Sequence, residues 1–233
     1  MSTITKIEQY LGLPVIRIQL EAGEFMADRT AKTGIVVHHT AGGPNAANVI
    51  SGSWENDRTK TGGKLAVATS FVIGGPMSSN PAMDGQIYMA FPDENWAHHL
   101  GTTRANNVQL NRQTIGIEIC NWGPITKTKD GKFITYVGSE LAPEHVYQLS
   151  QPFRGFTWYH EYSDKQIAST RALILALATK WGINPKKVWN RQSFELSDTA
   201  LTGGAGIWTH TNYRSDKFDI SPSPKMIAML NTL

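Results

Sequence analysis

The feature that most constrains the fold is one segment, SDKQIASTRALILALATKWGINP, at residues 163–185. Ser163 and Gln166 have the spacing of a capping box, Gly182 is a typical stop signal, and Pro185 follows it. The interior of the segment is apolar on nearly every side, which is typical of a buried helix rather than a surface helix. The sequence therefore predicts a helix that packs against a sheet.

Five short segments have the composition of β-strands, since each is rich in Val, Ile, Phe or Tyr and is bordered by Gly, Pro, Asn or similar residues. They are residues 14–20, 34–40, 69–75, 85–91 and 114–120. Asp84-Gly85 lies between the third and the fourth and predicts that these two form a hairpin. Strands mixed with helices around a central sheet predict an α/β or α+β domain.

Two further regions are less regular. A second helix is expected after Pro44, although Gly52 interrupts it. Residues 123–160 combine Gly and Pro with many aromatic residues, and we interpret them as a long functional loop region with some helix around 143–150. The sequence has no internal repeat and no low-complexity linker, so one domain is the simplest expectation for 233 residues.

The composition is that of an ordinary globular protein, with 40% hydrophobic and 18% charged residues. A net charge of +3 without long basic runs does not indicate nucleic-acid binding, although it suits an anionic polymer. Cys120 is the only cysteine, which excludes an intrachain disulfide and a multi-cysteine metal site.

The N-terminal 25 residues lack a basic start followed by a long apolar core, so they do not predict a signal peptide. No stretch approaches the roughly 18 apolar residues that a membrane span requires. We therefore expect a chain that is made as a soluble cytoplasmic protein and has no membrane partner.

Glu118 is a carboxylate within an apolar strand segment, TIGIEIC. Three isoleucines would share one face of that strand, which leaves Glu118 on the other face with Thr114, Gly116 and Cys120. A solvent-facing Glu on a half-exposed strand is one interpretation. The other is a general acid or base whose pKa is raised by partial burial.

The segment GIWTHTNYRSDKFDISPSP near the C-terminus carries His210, Lys217 and Asp219. Surface polarity would explain these residues in isolation. Together with His38 or His39 from the segment IVVHHTAGG, they could supply two histidines and one carboxylate, a set that leaves one position open in a catalytic zinc site. Successive strand side chains point to opposite faces, so only one member of that histidine pair is expected to face the site.

A second histidine pair, His98 and His99, follows Trp96 in the segment ENWAHHLGT. A metal ligand, the wall of a groove and an ordinary hydrogen-bonded loop histidine are all compatible with this spacing. Residue types alone do not decide among these three roles.

Taken in order, these motifs resemble the zinc-dependent N-acetylmuramoyl-L-alanine amidases, the family shared by phage lysozyme-like amidases, bacterial muropeptide-recycling amidases and animal peptidoglycan recognition proteins. The matching blocks are IVVHHTAGG, TSFVIGG with DGQIYMAF, WAHHLG, TIGIEICNWG and THTNYRSDKFDISP. They extend over about residues 30–225. The resemblance implies an α/β fold with a central mixed β-sheet flanked by helices, in a single catalytic domain at 1–233 with an enlarged loop region at about 123–160.

The resemblance also implies a role for each polar candidate. His38, His210 and Asp219 would be the ligands of a Zn²⁺ ion. Lys217 would stabilise the oxyanion of the tetrahedral intermediate, and Glu118 would move the proton from water to the leaving amine. With His38 in the site, the neighbouring histidine of the pair would lie behind the sheet.

Four residues are expected to contact the substrate. His99 matches the histidine that lines the groove in the family, and Thr40, Trp96 and Trp122 lie in or beside the matching motifs. Thr69 stands where some phage members carry a catalytic Tyr, so the chain resembles the members that use Glu instead.

The function implied is hydrolysis of the amide between N-acetylmuramic acid and L-alanine in peptidoglycan, by a monomer that acts on the cell wall after release. A peptidoglycan-binding module of the same fold without activity, a cytoplasmic muropeptide-recycling amidase and an unrelated zinc hydrolase are the alternatives. The length beyond a minimal amidase domain, concentrated at 123–160, favours the lytic interpretation.

Overall fold

Two β-sheets and one long helix form most of the computed structural model, which describes residues 7–233. The prediction about a signal peptide therefore falls partly on residues 1–6, which lie outside this description. The strands are β1 Ile7–Tyr10, β2 Leu13–Arg17, β3 Gly34–His39, β4 Phe71–Ile73, β5 Ile87–Met89, β6 Thr114–Ile119, β7 Pro124–Lys127, β8 Phe133–Ile134, β9 Glu140–Leu141, β10 Val146–Phe153, β11 Phe156–His160 and β12 Gly206–Thr209. The α-helices are α1 Ala46–Asn48, α2 Asn107–Gln113, α3 Asp164–Trp181, α4 Asp198–Leu201 and α5 Pro224–Leu230.

The larger sheet has seven strands in the order β1-β2-β5-β4-β6-β3-β12. Its pairs are antiparallel at β1/β2 and β4/β5 and parallel elsewhere, so the sheet is mixed. This confirms the predicted fold class, a mixed central sheet with helices. All five predicted strand segments contain a strand, and the predicted hairpin pairs Phe71 with Met89 and Ile73 with Ile87.

The central strands β3 and β6 are almost entirely buried, which explains why the sequence is apolar there. The face formed by Ile35, Val37 and the isoleucines of β6 packs against α3 in the largest core cluster. The opposite face carries His38, which pairs in register with Glu118 of β6. The catalytic candidates therefore lie on the side of the sheet that α3 does not cover.

Helix α3 confirms the prediction made from its sequence. The Ser163 side chain accepts from the Gln166 backbone N–H and the Gln166 side chain accepts from the Ser163 N–H, as a capping box requires. Gly182 ends the helix with a φ of 66°, in the left-handed region that glycine adopts without strain. The buried residues Leu173, Ile174 and Leu177 face the sheet.

The helical segment after Pro44 is present but irregular. It begins as α1, continues as a π-helix at Val49–Ser53 and ends as a 3₁₀ turn at Trp54–Asn56. A Cβ at Gly52 would lie 2.4 Å from the Asn48 side-chain oxygen, so glycine is needed where the turn widens. Trp54, the first residue of the final turn, lies beside the cleft described below.

The interpretation of residues 123–160 as a long loop is wrong, because these residues form a second, antiparallel sheet in the order β10-β11-β7-β8-β9. The helix expected around 143–150 is also wrong: a 3₁₀ turn at Pro143–His145 leads directly into β10. Two strands have only two residues, and an irregularity between Gln148 and Phe153 disrupts the register of β10. Strands this short and interrupted leave too little two-residue periodicity to detect.

None of the helices between residues 7 and 233 combines the length and the apolar character needed to cross a lipid bilayer.

Candidate active site

The ends of three adjacent strands bring the polar candidates together. His38 lies at the end of β3, Glu118 near the end of the neighbouring β6, and His210 directly after β12 on the other side. Because these strands are parallel, their carboxyl ends meet at one edge of the sheet. Asp219 reaches the same point from the loop that follows His210.

His38, His210 and Asp219 form a buried cluster in which one ligand atom of each residue lies within 4.8 Å of the others. Nδ1 of His210 is 2.8 Å from Oδ2 of Asp219, and Nδ1 of His38 is 3.3 Å from the same oxygen. No other group of three potential ligands of this kind is found among residues 7–233. The structure therefore brings together the three residues expected to bind zinc.

The backbone fixes the tautomer of His210. Its Nε2 lies 2.8 Å from the Leu100 carbonyl oxygen, which can only accept a hydrogen bond. Nε2 must therefore carry a proton, which leaves Nδ1, the nitrogen directed at Asp219, as the one that can bind a metal. A backbone acceptor on the far ring nitrogen is the usual way in which a metal-binding histidine is oriented.

A chain of hydrogen bonds fixes the tautomer of His38 in the same way. The Thr114 hydroxyl donates to the Leu110 carbonyl at 2.7 Å and accepts from Nε2 of His99 at 3.0 Å. Nδ1 of His99 is then an acceptor, and Nε2 of His38 donates to it at 3.0 Å. Nδ1 of His38 is left with its lone pair directed at Asp219.

This arrangement fits a zinc ion. Burial, with a smaller contribution from His210, lowers the pKa of His38 to about 4, so the His38 ring is neutral at pH 7. Burial alone would raise the pKa of Asp219, but the His210 and His38 rings bring it below its ordinary value. Two imidazole lone pairs and a carboxylate oxygen converge, and such acceptors repel one another unless a cation lies between them. Two histidines and one carboxylate are a donor set that Zn²⁺ accepts.

Glu118 and Lys217 line the same cleft as the three potential ligands, in a cavity of about 300 Å³. Burial raises the pKa of Glu118 well above its ordinary value, and the charge of Asp219 adds to this effect, whereas Lys217 opposes it. A carboxyl group with a raised pKa can both accept and donate a proton near neutral pH. Lys217 supplies a positive charge beside it.

The four expected substrate contacts have different positions. Thr40 and His99 line the cleft, and Trp122 lines a second cavity that continues from it past Glu118. Trp96 is not among the residues that line either cavity. Only 7% of its surface is exposed, because its ring packs between His98 and Arg112.

His39 lies on the opposite face of β3 from His38. Its Nδ1 is 2.9 Å from the Tyr162 hydroxyl group, just before α3, and its ring packs near Phe218. Burial lowers the pKa of His39 to about 4, so the ring is neutral.

The residues that orient the ligands were not found from the sequence. The Leu100 carbonyl belongs to the backbone, so no pattern of side chains could indicate it. Thr114 was placed on the face of Glu118 by strand alternation, but its link to His38 depends on His99, which comes from a loop.

The N-acetylmuramoyl-L-alanine amidase family model matches residues 28–222, which is most of the chain and includes every polar candidate named above. The chain belongs to this family. The chain carries all three potential ligands together with Glu118 and Lys217. No match is found among curated protein sequences.

Several solved structures resemble this chain at low sequence identity. LysC from Clostridium intestinale URNW, an N-acetylmuramoyl-L-alanine amidase, is 15% identical, with a TM-score of 0.48 over 92% of this chain and 97% of that one. A selenomethionine derivative of AmpD is 18% identical, with a TM-score of 0.46 over 91% and 92%. A mutant endolysin from Bacillus subtilis is also 18% identical, with a TM-score of 0.46 over 88% of each chain.

Proposed function

We propose that the protein is a zinc-dependent hydrolase that cleaves the amide between the lactyl group of N-acetylmuramic acid and L-alanine in peptidoglycan. The observation that carries this proposal is the convergence of the His38, His210 and Asp219 ligand atoms within 4.8 Å, in the cleft that Glu118 and Lys217 also line. His38, His210 and Asp219 would hold the ion, which would supply Lewis-acid activation of water and of the scissile carbonyl.

Glu118 is the proton carrier in this proposal. Its carboxylate accepts a proton from the attacking water and later donates it to the departing amino group of L-alanine. The raised pKa of Glu118 suits both halves of this transfer, because the protonated form persists long enough to act as the acid.

Lys217 would stabilise the negative charge that develops on the carbonyl oxygen. A positioned donor of this kind typically contributes a few kcal/mol to the transition state. Thr40, His99 and Trp122 would contact the substrate, and the surroundings of Trp96 suit a structural role instead. His99 would also orient His38 through their hydrogen bond.

We further propose that residues 1–233 act as one catalytic domain, as a monomer, on the cell wall after the protein is released, as an endolysin does. The support for the lytic role is the second sheet at 123–160, which contributes Tyr136 and Val137 to the wall of a cavity beside the cleft, where a substrate longer than one muropeptide could bind. A cytoplasmic recycling role is the competing proposal.

The decisive experiment is incubation of the purified, zinc-loaded protein with intact sacculi, followed by measurement of new L-alanine amino termini. We expect their release by the wild type. Glu118→Gln should reduce the rate by at least about 100-fold while zinc content stays at one ion per chain. Glu144→Gln, a change at an exposed carboxylate in the turn between β9 and β10, is the matched control and should behave as the wild type.

Zinc-loaded wild type that releases no L-alanine amino termini would show a binding module rather than an enzyme. Substantial activity of Glu118→Gln would exclude Glu118 as the base. The rates of cleavage of sacculi and of soluble anhydro-muropeptides distinguish the lytic role from the recycling role. Faster cleavage of sacculi supports the lytic role, and cleavage of the soluble substrate alone supports recycling.

A further inference from the structure

The second sheet ends in a rigid hairpin that exposes two apolar side chains at its tip. Tyr136 and Val137 lie in the turn between β8 and β9 and are 71% and 54% exposed. The buried Thr135 holds this turn, because its backbone N–H donates to Ser139 at 2.9 Å and its hydroxyl accepts from the Ser139 N–H at 3.0 Å. The turn therefore fixes the backbone from which the two exposed side chains project.

The hairpin tip forms one wall of a second cavity of about 450 Å³, next to the proposed catalytic cleft. The Tyr136 ring meets the Trp122 ring edge to face, with 6.2 Å between their centroids. Trp54 and Glu118 line both cavities, so the second cavity opens directly beside the proton carrier. Its volume is within the range of about 300–1,000 Å³ that is typical of ligand sites.

The root of the second sheet is fixed to the strand that carries Glu118. Asn121 lies two residues after the end of β6; its side chain donates to the His160 carbonyl at 3.1 Å and accepts from the Gly123 N–H at 2.7 Å. The His160 N–H in turn donates to the Gly123 carbonyl at 2.9 Å. The wall of the cavity therefore has a fixed position relative to the proposed reacting centre.

The chemistry of this cavity fits an uncharged sugar. No Lys or Arg lines it, and Glu118 at its inner end is the only carboxylate among the lining residues. The rest of the lining includes the side-chain amides of Asn45 and Asn48 and the rings of three aromatic residues. Aromatic faces cover the C–H faces of a pyranose, and amides exchange hydrogen bonds with hydroxyl and acetamido groups.

A stem peptide fits the cavity less well, because its carboxylates would meet no cation there. The cations of the second sheet are engaged elsewhere: Lys132 pairs with Glu140 at 2.9 Å, and the Lys127 amine lies over the Phe133 and Trp158 rings. The first cavity, which shares Glu118 with this one, is lined by Lys217 as well as by the carboxylates of Asp216 and Asp219, so the lysine available to a substrate carboxylate lies there and not in the second cavity.

We infer that the groove between Trp122 and the Tyr136–Val137 hairpin tip is a subsite for sugar units of the glycan strand that lie beyond the muramic acid at the scissile bond. This inference rests on the proposed function and names the part of the substrate that the second sheet recognises. According to this inference, the hairpin makes the protein favour polymeric peptidoglycan over a single muropeptide.

The test compares two substrates with the same peptide: one on a single N-acetylmuramic acid and one on a tetrasaccharide of alternating N-acetylglucosamine and N-acetylmuramic acid. Tyr136→Ala should lower the ratio of kcat/KM for the long substrate to that for the short one by about five- to tenfold, the size typical of losing one aromatic contact. Lys129→Ala, in the neighbouring exposed β7–β8 turn, should leave the ratio unchanged. An unchanged ratio for Tyr136→Ala would overturn the inference, whether both rates fall together or neither falls.

A binding measurement separates this inference from the proposed reaction. Chitotetraose, an uncharged tetramer of N-acetylglucosamine, should bind the wild type and Lys129→Ala equally in a calorimetric titration, and Tyr136→Ala at least about fivefold more weakly. If the wild type cleaves neither substrate, the proposed function fails, and this titration still tests the groove. Equal binding by all three proteins, or binding by none, would overturn the subsite.

Discussion

Nε2 of His38 donates a hydrogen bond to Nδ1 of His99 over 3.0 Å, and this contact determines which nitrogen of His38 is free to bind a metal. The direction of the bond follows from the next link, because Nε2 of His99 must donate to the Thr114 hydroxyl. His99 therefore acts on the candidate metal centre without touching its ligand atoms.

We expect His99→Ala to weaken zinc binding by about 10- to 100-fold, the usual cost of removing a group that orients a metal ligand. The physical reason is that the His38 ring would lose its acceptor and its fixed tautomer. Competition with a chromogenic chelator measures the dissociation constant. His98→Ala, a change at the neighbouring histidine, should keep the wild-type affinity; equal affinity of His99→Ala and wild type would show that the contact does not orient the ligand.

Gly116 leaves the space in which His99 and Thr69 pack. A Cβ built at this position would lie 2.6 Å from Cγ2 of Thr69 and 3.2 Å from Nδ1 of His99. Gly116→Ala should therefore lower the free energy of unfolding by about 1–3 kcal/mol through overpacking, and weaken zinc binding by displacing His99.

Denaturant unfolding and the same chelator competition check both effects of Gly116→Ala. The double variant Gly116→Ala/Thr69→Ser removes the closest contact and keeps the hydroxyl group that donates to Phe71, so it should recover part of the lost stability. If Gly116→Ala is as stable as the wild type and binds zinc with unchanged affinity, then the lack of a side chain at Gly116 is not required for the packing of Thr69 and His99.

The parts of this site that follow from strand geometry could be predicted from the sequence. Alternation along TIGIEIC placed Glu118 and Thr114 on one face, and the parallel register of β3 and β6 puts His38 opposite Glu118. The choice of His38 over His39 came from the family resemblance, because alternation alone treats both alike. The structure supplies the reason, since His39 faces α3 and contacts Tyr162.

The second sheet could not be predicted for a different reason. Its stability comes from pairs of aromatic residues far apart along the chain, such as Phe133 with Trp158 and Tyr147 with Tyr159. Cross-strand pairs of this kind stabilise a sheet once the strands have met, but they leave no local periodicity. The abundance of aromatic residues was visible in the sequence, whereas their pairing was not.

The two histidines of IVVHHTAGG should respond differently to truncation. His38→Ala should abolish most zinc binding, because one of the three proposed ligands is lost. His39→Ala should retain zinc and lose about 1–3 kcal/mol of stability, since the buried Tyr162 hydroxyl would lose its partner. Metal analysis of the two purified variants, with unfolding curves, measures both effects. Zinc retained by His38→Ala and lost by His39→Ala would reverse the assignment of faces.

Acid should destabilise the protein through His160, at the root of the second sheet. Burial, with smaller contributions from the nearby His145 and His39, lowers its pKa to about 4. An unfolded histidine titrates near pH 6.5, so between these two values the unfolded chain binds a proton that the folded chain excludes. The stability that neutral His160 contributes is therefore complete above about pH 6.5 and falls as the pH decreases toward 4, by about 3 kcal/mol in total.

The variant His160→Gln isolates this effect, because a glutamine oxygen can still accept from the Trp122 N–H that now donates to His160. Its free energy of unfolding should depend less on pH between 6.5 and 4 than that of the wild type, so the difference between the two proteins should shrink on acidification. Urea unfolding at a series of pH values, with a chelator present in every sample, measures it. His145→Gln, in the exposed turn before β10, removes one of the groups that lower the pKa of His160, so its profile should lie between those of the wild type and His160→Gln. Parallel profiles for wild type and His160→Gln would show that His160 is not the group that excludes the proton.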